Sequence, residues 1–257
     1  MQPRSLGLST DLQLLALRGT VADRGDYIVV TTPDDPGYYY GNLLVLRAAP
    51  QVGEVAYWTR KFTEEIGGNP LIKHVTFRWD GIAGDLGARA ELEAAGFTLE
   101  VSDVMTAPAS AIARALSPFP IRVLTPEQVV ASADLAWANG DRHDDAYRQF
   151  LDRRAVWKSS LVEKGSGTFY GAFDDEALVG TLGLVSLGDV DRFQDVEVAA
   201  SHRKRGIASA LLSAAAAGAR SETLVIVADA DGPAERVYQR AGFTAIERVG
   251  SACRYPT

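Results

Sequence analysis

The sequence predicts an α/β chain of two similar halves, each a strand-helix alternation of parallel character. Two observations carry this. Residues 89–100 (RAELEAAGFTLE) and 236–247 (RVYQRAGFTAIE) share one phrase: a short helix, a glycine at its end, a phenylalanine, then an extended apolar run. Upstream of each lies the same alternation of strand, loop, helix and strand. A glycine at a helix end suits the left-handed cap, and the following phenylalanine can fold back onto the helix.

In the first half, residues 42–47 read as a strand, 48–53 as a loop, 54–66 as a helix and 74–79 as a strand. Ser117-Pro118-Phe119-Pro120 breaks the chain, because two prolines in four residues cannot continue a helix. The expected division is therefore 1–117 and 118–257. Strand 121–124 opens the second half, and Thr125-Pro126 reads as an N-cap followed by proline in the first helical turn. A polar helical region over 128–164 follows, then a hairpin over 171–180 turning at 174–176. Strand 195–198, loop 199–205, helix 206–220 and strand 223–228 repeat the order of the first half.

Composition narrows the function. The 257 residues are 47% hydrophobic and 23% charged, enough for a substantial core. One cysteine, Cys253, leaves no disulfide framework and no Cys-rich zinc site. Three scattered histidines argue against a histidine metal site. The acidic cluster 141–145 spans adjacent residues, which cannot converge on one ion if helical; it reads as a solvated loop. A net charge of −7 gives no general affinity for nucleic acid or membrane, so any anion site must be a local basic patch. No signal-like segment or span-length apolar run is visible, and the expectation is a soluble cytoplasmic protein.

One loop is such a patch. His202-Arg203-Lys204-Arg205-Gly206-Ile207-Ala208-Ser209 puts three consecutive cations at a strand-to-helix junction. Gly206 and Ala208 keep the backbone bare, and the first helical turn offers unpaired amides at the positive end of its dipole. A pyrophosphate suits this chemistry; a solvated basic turn is the alternative.

The run from Val198 through Leu212 resembles the acetyl-CoA loop of the GNAT N-acetyltransferase superfamily. Its signature is Gln or Arg, two residues, Gly, one residue, then Gly or Ala, and Arg203, Gly206 and Ala208 fill it. Residues 234–243, with Tyr238, Gly242 and Phe243, resemble the superfamily's final helix. The likeness covers about 120–250, and the first half echoes it only faintly. It implies two GNAT-like mixed-sheet halves in tandem, the second carrying the acyl-CoA site between splayed strands 195–198 and 223–228. Implied contacts are Val196 and Val198 backbone groups on the pantetheine arm, and Arg203, Lys204, Arg205, Gly206, Ile207, Ala208 and Ser209 around the pyrophosphate.

The implied activity is acetyl transfer from acetyl-CoA to a small-molecule or peptide amine by direct attack, without metal; a non-catalytic acyl-CoA sensor is the alternative. The resemblance makes Tyr238 the general acid, against a packing role, and the Val198 amide the oxyanion donor. Glu197 is the candidate base, with a structural or substrate-binding charge as the alternative. Asp231 stands where many relatives carry Asn, and Ala200 where many carry Pro. In the first half the matching loop, 49–54, lacks cations, and Glu91 or Leu92 stands near the tyrosine's place. That half is expected to lack cofactor binding and to complete the sheet, wall the acceptor site or support a dimer; the chain is expected as monomer or homodimer. Tyr38-Tyr39-Tyr40 reads as an aromatic strand packed on the core, and Gln194 as a candidate acceptor contact.

Overall fold

The computed structural model describes residues 1–256. The elements are α1 (Leu6–Ala16), β1 (Thr20–Asp23), β2 (Tyr27–Thr31), β3 (Leu43–Leu46), α2 (Val55–Glu65), β4 (Val75–Trp79), α3 (Arg89–Ala94), β5 (Thr98–Pro108), β6 (Ile121–Val123), α4 (Pro126–Asn139), α5 (Asp145–Glu163), β7 (Gly167–Asp174), β8 (Ala177–Ser186), β9 (Val190–Val198), α6 (Ile207–Ala217), β10 (Thr223–Asp229), α7 (Glu235–Ala241) and β11 (Thr244–Arg254). They form two compact units. One holds Met1–Val104, Val227–Asp231 and Ala245–Thr257; the other holds Met105–Ile226 and Gly232–Thr244. These units do not coincide with the sequence halves 1–117 and 118–257.

In the first unit the strand order is β1-β2-β3-β4-β11-β5. β3 and β4 are parallel, as their connection through α2 requires, and β11 is antiparallel to β4, with Ala252 opposite Phe77. Both faces are covered. Ile28, Val30, Leu43 and Val45 point to α1, against Leu8, Leu12 and Leu15. Their neighbours Val29, Leu44 and Leu46 point the other way, to Val55 and Phe62 of α2 and Leu92 of α3. A two-residue period with both faces buried explains the unbroken apolar run of β3. The N-terminus of α1 is held by Glu247 of β11, which accepts from the Ser5 hydroxyl at 2.7 Å and the Leu6 amide at 3.0 Å.

The second unit orders its strands β10-β9-β8-β7-β6. β7, β8 and β9 form an antiparallel meander turning at Asp175 (φ 52°), and β9 runs parallel to β10 after the α6 crossover. α4 and α5 pack through Ala133, Leu151 and Ala155, and α6 lies on β7 and β8.

Several sequence readings need correction. The helical region 128–164 is two helices, parted at Gly140; Asp144 caps α5 by accepting from the Tyr147 amide at 2.9 Å. Tyr38-Tyr39-Tyr40 is not a strand: residues 39–41 form a 3-10 turn. The buried Asn42 side-chain amide donates to the Tyr38 and Asp35 carbonyls, each at 3.0 Å, and side-chain bonds replace the ladder there. Thr125 caps α4 with Pro126 behind it, as the sequence predicts, and Gln128 completes a capping box.

Candidate functional site

The site begins with a defect in β9. Between the pairs Thr181↔Glu197 and Gly183↔Gln194, two residues of β9, Asp195 and Val196, oppose Leu182 alone. Asp195 takes the left-handed conformation, φ 49°, to absorb the extra residue. On its other edge β9 pairs with β10 only at Val190, Asp191 and Arg192, opposite Thr223, Leu224 and Val225. Beyond that point the strands part, as expected of this region. Ala199 donates to the Val179 carbonyl of β8 at 2.9 Å. Antiparallel alternation then turns the preceding amide, that of Val198, away from β8 and toward the edge β10 has left.

After β9 the chain turns through residues 200–202 into the basic loop. Lys204 (φ 63°) and Gly206 (φ 80°) are both left-handed, and Gly206 is the N-cap of α6. The amides of residues 204–209 have no hydrogen-bond acceptor among the described residues; the first amide of α6 to find one is Ala210, on the Gly206 carbonyl at 3.0 Å. A Cβ at Gly206 would meet the Leu116 carbonyl oxygen at 3.6 Å in a conformation that side chains disfavour. The arginines are partly engaged: Arg203 Nε donates to the Val198 carbonyl at 3.3 Å, and Arg205 stacks on Phe119 at 4.4 Å. Lys204 is exposed and has no partner among the described residues. Bare amides flanked by cations at a helix start fit a diphosphate.

Glu197 lies on β9 beside the bulge. Its carboxylate accepts from Asn139 Nδ2 at 3.2 Å, and Asn139 also donates to the Val198 carbonyl and accepts from the Ala200 amide. Asn139 ends α4 and ties it to the end of β9. Burial pushes the Glu197 carboxyl above the usual carboxylate range, and the Asn139 bond draws it only partly back. A cavity of about 330 Å³ adjoins it, lined by Val196 and Glu197, by Asp195, and by Tyr147, Arg154 and Lys158 of α5 among others. Burial pushes the Asp195 carboxyl up, but Arg154 and Lys158 outweigh it and hold the group well below the usual range. Gln194 is not in the lining; its amide turns back to the Phe193 carbonyl at 2.8 Å.

Tyr238 is buried on α7, its ring 6.3 Å from that of Phe243, and the Phe243 amide returns to the Tyr238 carbonyl at 3.0 Å. Gly242 caps this turn at φ 114°. Tyr238 does not line the cavity; α7 packs on α6, the helix that starts at the basic loop. The first unit repeats the turn: Gly96 is left-handed (φ 83°), and the Phe97 amide returns to the Leu92 carbonyl at 3.0 Å. Leu92 therefore stands where Tyr238 does and brings no proton. The echo loop is closed by the chain's own carboxylates, Glu54 accepting from the Gln51 amide at 3.0 Å and Glu91 from the Gly53 amide at 2.6 Å. Asp231, the departure noted in sequence, pairs with Arg248 at 3.2 Å.

Among the described residues no three His, Cys, Asp or Glu side chains are grouped to hold a metal, and no helix is long and apolar enough to cross a membrane.

Residues 130–243 match the Acetyltransferase (GNAT) family. No curated protein matches the chain by sequence. Among solved structures, a functionally unknown conserved protein from Staphylococcus epidermidis is 13% identical with a TM-score of 0.75, covering 94% of this chain and 96% of that one. A GCN5-related N-acetyltransferase from Kribbella flavida is 14% identical with a TM-score of 0.68, covering 97% and 94%. A tandem GNAT protein from the clavulanic acid biosynthesis pathway is 13% identical with a TM-score of 0.55, covering 98% and 97%. At these identities the likeness is one of fold, which the chain shares with a GCN5-related N-acetyltransferase and a tandem GNAT protein.

Proposed function

We propose that residues 130–243, which match the Acetyltransferase (GNAT) family, form an acetyltransferase domain, and that the chain is an acetyl-CoA-dependent N-acetyltransferase acting on an amine by direct attack in a ternary complex. The observation that carries the proposal is the run of unacceptored amides over 204–209 at the start of α6. Their counterpart in the other unit is sealed by Glu54 and Glu91, so one site per chain is proposed. The boundary at 117/118 is kept as the junction of two sequence repeats, the first without a cofactor loop.

In the proposed roles, the amides of 204–209 with Lys204 and Arg203 grip the diphosphate. The freed edge of β9 at Val196 and Val198 pairs with the pantetheine amides. The Val198 amide receives the oxyanion. An amine with pKa near 10 is roughly 99.9% protonated at pH 7, so Glu197 takes its proton, directly or through water. The amine nitrogen then bonds the acetyl carbon, the carbon–sulfur bond breaks, and Tyr238 protonates the departing thiolate. The Cys253 thiol is buried in the other unit and is given no part.

Arg203→Ala with Lys204→Ala is expected to weaken acetyl-CoA binding by about 1–3 kcal/mol, the scale of charge-assisted hydrogen bonds. Calorimetry measures it, and unchanged affinity removes the loop assignment. Thiol release with a panel of amines tests the activity itself; tight CoA binding without any turnover points to an acyl-CoA sensor instead.

Glu197→Gln tests the base. A rate that needs the carboxylate is full above its pKa and falls as the pH drops through it. Burial has raised that pKa, so the acidic limb lies above the position of an ordinary glutamate. The variant is expected to lose this limb and keep only the titration of the amine. An identical pH–rate profile assigns Glu197 a merely structural charge.

A further inference from the structure

The cavity beside Glu197 is lined by apolar residues and by charged groups of both signs. Tyr147, Phe150 and Leu151 of α5, with Ala133 and Ala136 of α4, make the apolar part. Within it Asp195 meets two cations, Arg154 at 2.8 Å and Lys158 at 3.5 Å, so two positive groups share one carboxylate. Glu197, in the same lining, is hydrogen-bonded to a neutral amide, that of Asn139, and among the described residues makes no ion pair. The cavity thus offers groups of both signs.

Lys158 says most about the ligand. It is 7% exposed, yet among the described residues its ammonium makes a single polar contact, the long one to Asp195. An ammonium has three donors, and a buried charge left short of partners is costly. Lys158 lines the cavity, and an anion bound there would meet its remaining donors.

We propose that the acceptor is a small amino-carboxylate, an amino acid with an apolar or aromatic side chain, whose carboxylate is held by Lys158 and Arg154 while its amine faces Glu197. The inference rests on the transferase reading above and names its substrate class. Asp195, with Arg154 and Lys158 on it, and Glu197 stand two positions apart on β9 across the bulge, and all four line the one cavity. An amino acid carries its carboxylate and its amine on one carbon, so both groups can be met within that cavity. The side chain then lies on Tyr147 and Phe150. A polyamine brings a second cation to Arg154 and Lys158 and is repelled. A peptide N-terminus brings a neutral amide and leaves Lys158 short of its partner.

The test uses the full chain with acetyl-CoA and follows thiol release. Phenylalanine and leucine are compared with their carboxamides and with spermidine. Expected is a kcat/KM for the free amino acids about 10-fold or more above that of their carboxamides, the scale of a charge-assisted bond. Lys158→Met is expected to lower the amino-acid value about 10-fold and bring the ratio near one; Lys158→Gln serves if the methionine variant does not fold. Equal or higher values for carboxamides, or preference for spermidine, overturn the inference and leave the N-acetyltransferase reading standing. If no amine is acetylated, that reading falls. Calorimetric binding of phenylalanine against its carboxamide, in the presence of CoA, then decides the cavity's chemistry: 10-fold tighter binding of the free acid supports the inference, and equal or weaker binding ends it.

Discussion

A chain ending at residue 244 is expected not to fold. Residues 245–254 belong to β11, which stands inside the first unit's sheet, between β4 and β5. Removing them exposes the ladder of β4 at Val75, Thr76, Phe77 and Arg78 and strips Ala252 from the core that holds Phe77 and Trp79. It also takes away Glu247, the carboxylate on the first amides of α1. Each fully buried aliphatic side chain contributes about 1.5–3 kcal/mol, and a whole domain is stable by about 5–15 kcal/mol. Loss of Val249 and Ala252 together with an inner ladder consumes that margin. For the same reason residues 1–117 alone are expected to be unfolded and to recover structure when 118–257 is supplied in trans. Circular dichroism and limited proteolysis measure both. A truncated chain melting cooperatively within about 5 °C of the full one would contradict the strand's structural role.

Legibility followed the range of the chemistry. The basic loop and the two helix-glycine-phenylalanine phrases are local: a left-handed glycine and the first turn of a helix need only a few residues, and Gly206, Gly242 and Gly96 all stand as read. The closing strand was legible as a strand but not in its partner, since nothing local tells β11 to pair with β4 rather than with its own repeat. The bend at Asp195 is not legible in sequence, because a left-handed aspartate in a strand leaves no mark that a glycine would. Gln194, one residue away, is the contact the sequence offers, and its amide turns back to its own backbone. Arg154, Lys158 and Asn139 come from helices that precede β9 by tens of residues, and in sequence they are ordinary polar positions. Their meaning appears only where α4 and α5 close over the bulge.

Tyr238→Phe is expected to lower kcat about 100-fold while leaving CoA affinity unchanged, general acid catalysis being worth about 10²–10⁴ in rate. The substitution removes only the phenolic oxygen. The ring stays against Phe243, and the backbone bond from Phe243 to residue 238 does not involve the side chain, so the fold is retained. The first unit gives the comparison within the same chain: Leu92 fills the same place in the same turn, fully buried, and packs without any hydroxyl. The fold of this turn therefore does not by itself require a tyrosine. An acid must keep its proton at the working pH, and phenols ionise only near 10. If Tyr238 protonates the departing sulfur, an acetyl thioester whose thiolate is less basic needs that proton less, and the gap between variant and parent should narrow with such a donor. A gap that stays constant across donors, or a kcat that does not move, makes Tyr238 a wall of the site rather than its acid. A fall in CoA affinity matching the fall in rate leads to the same conclusion, because an interaction made only in the transition state leaves ground-state binding untouched.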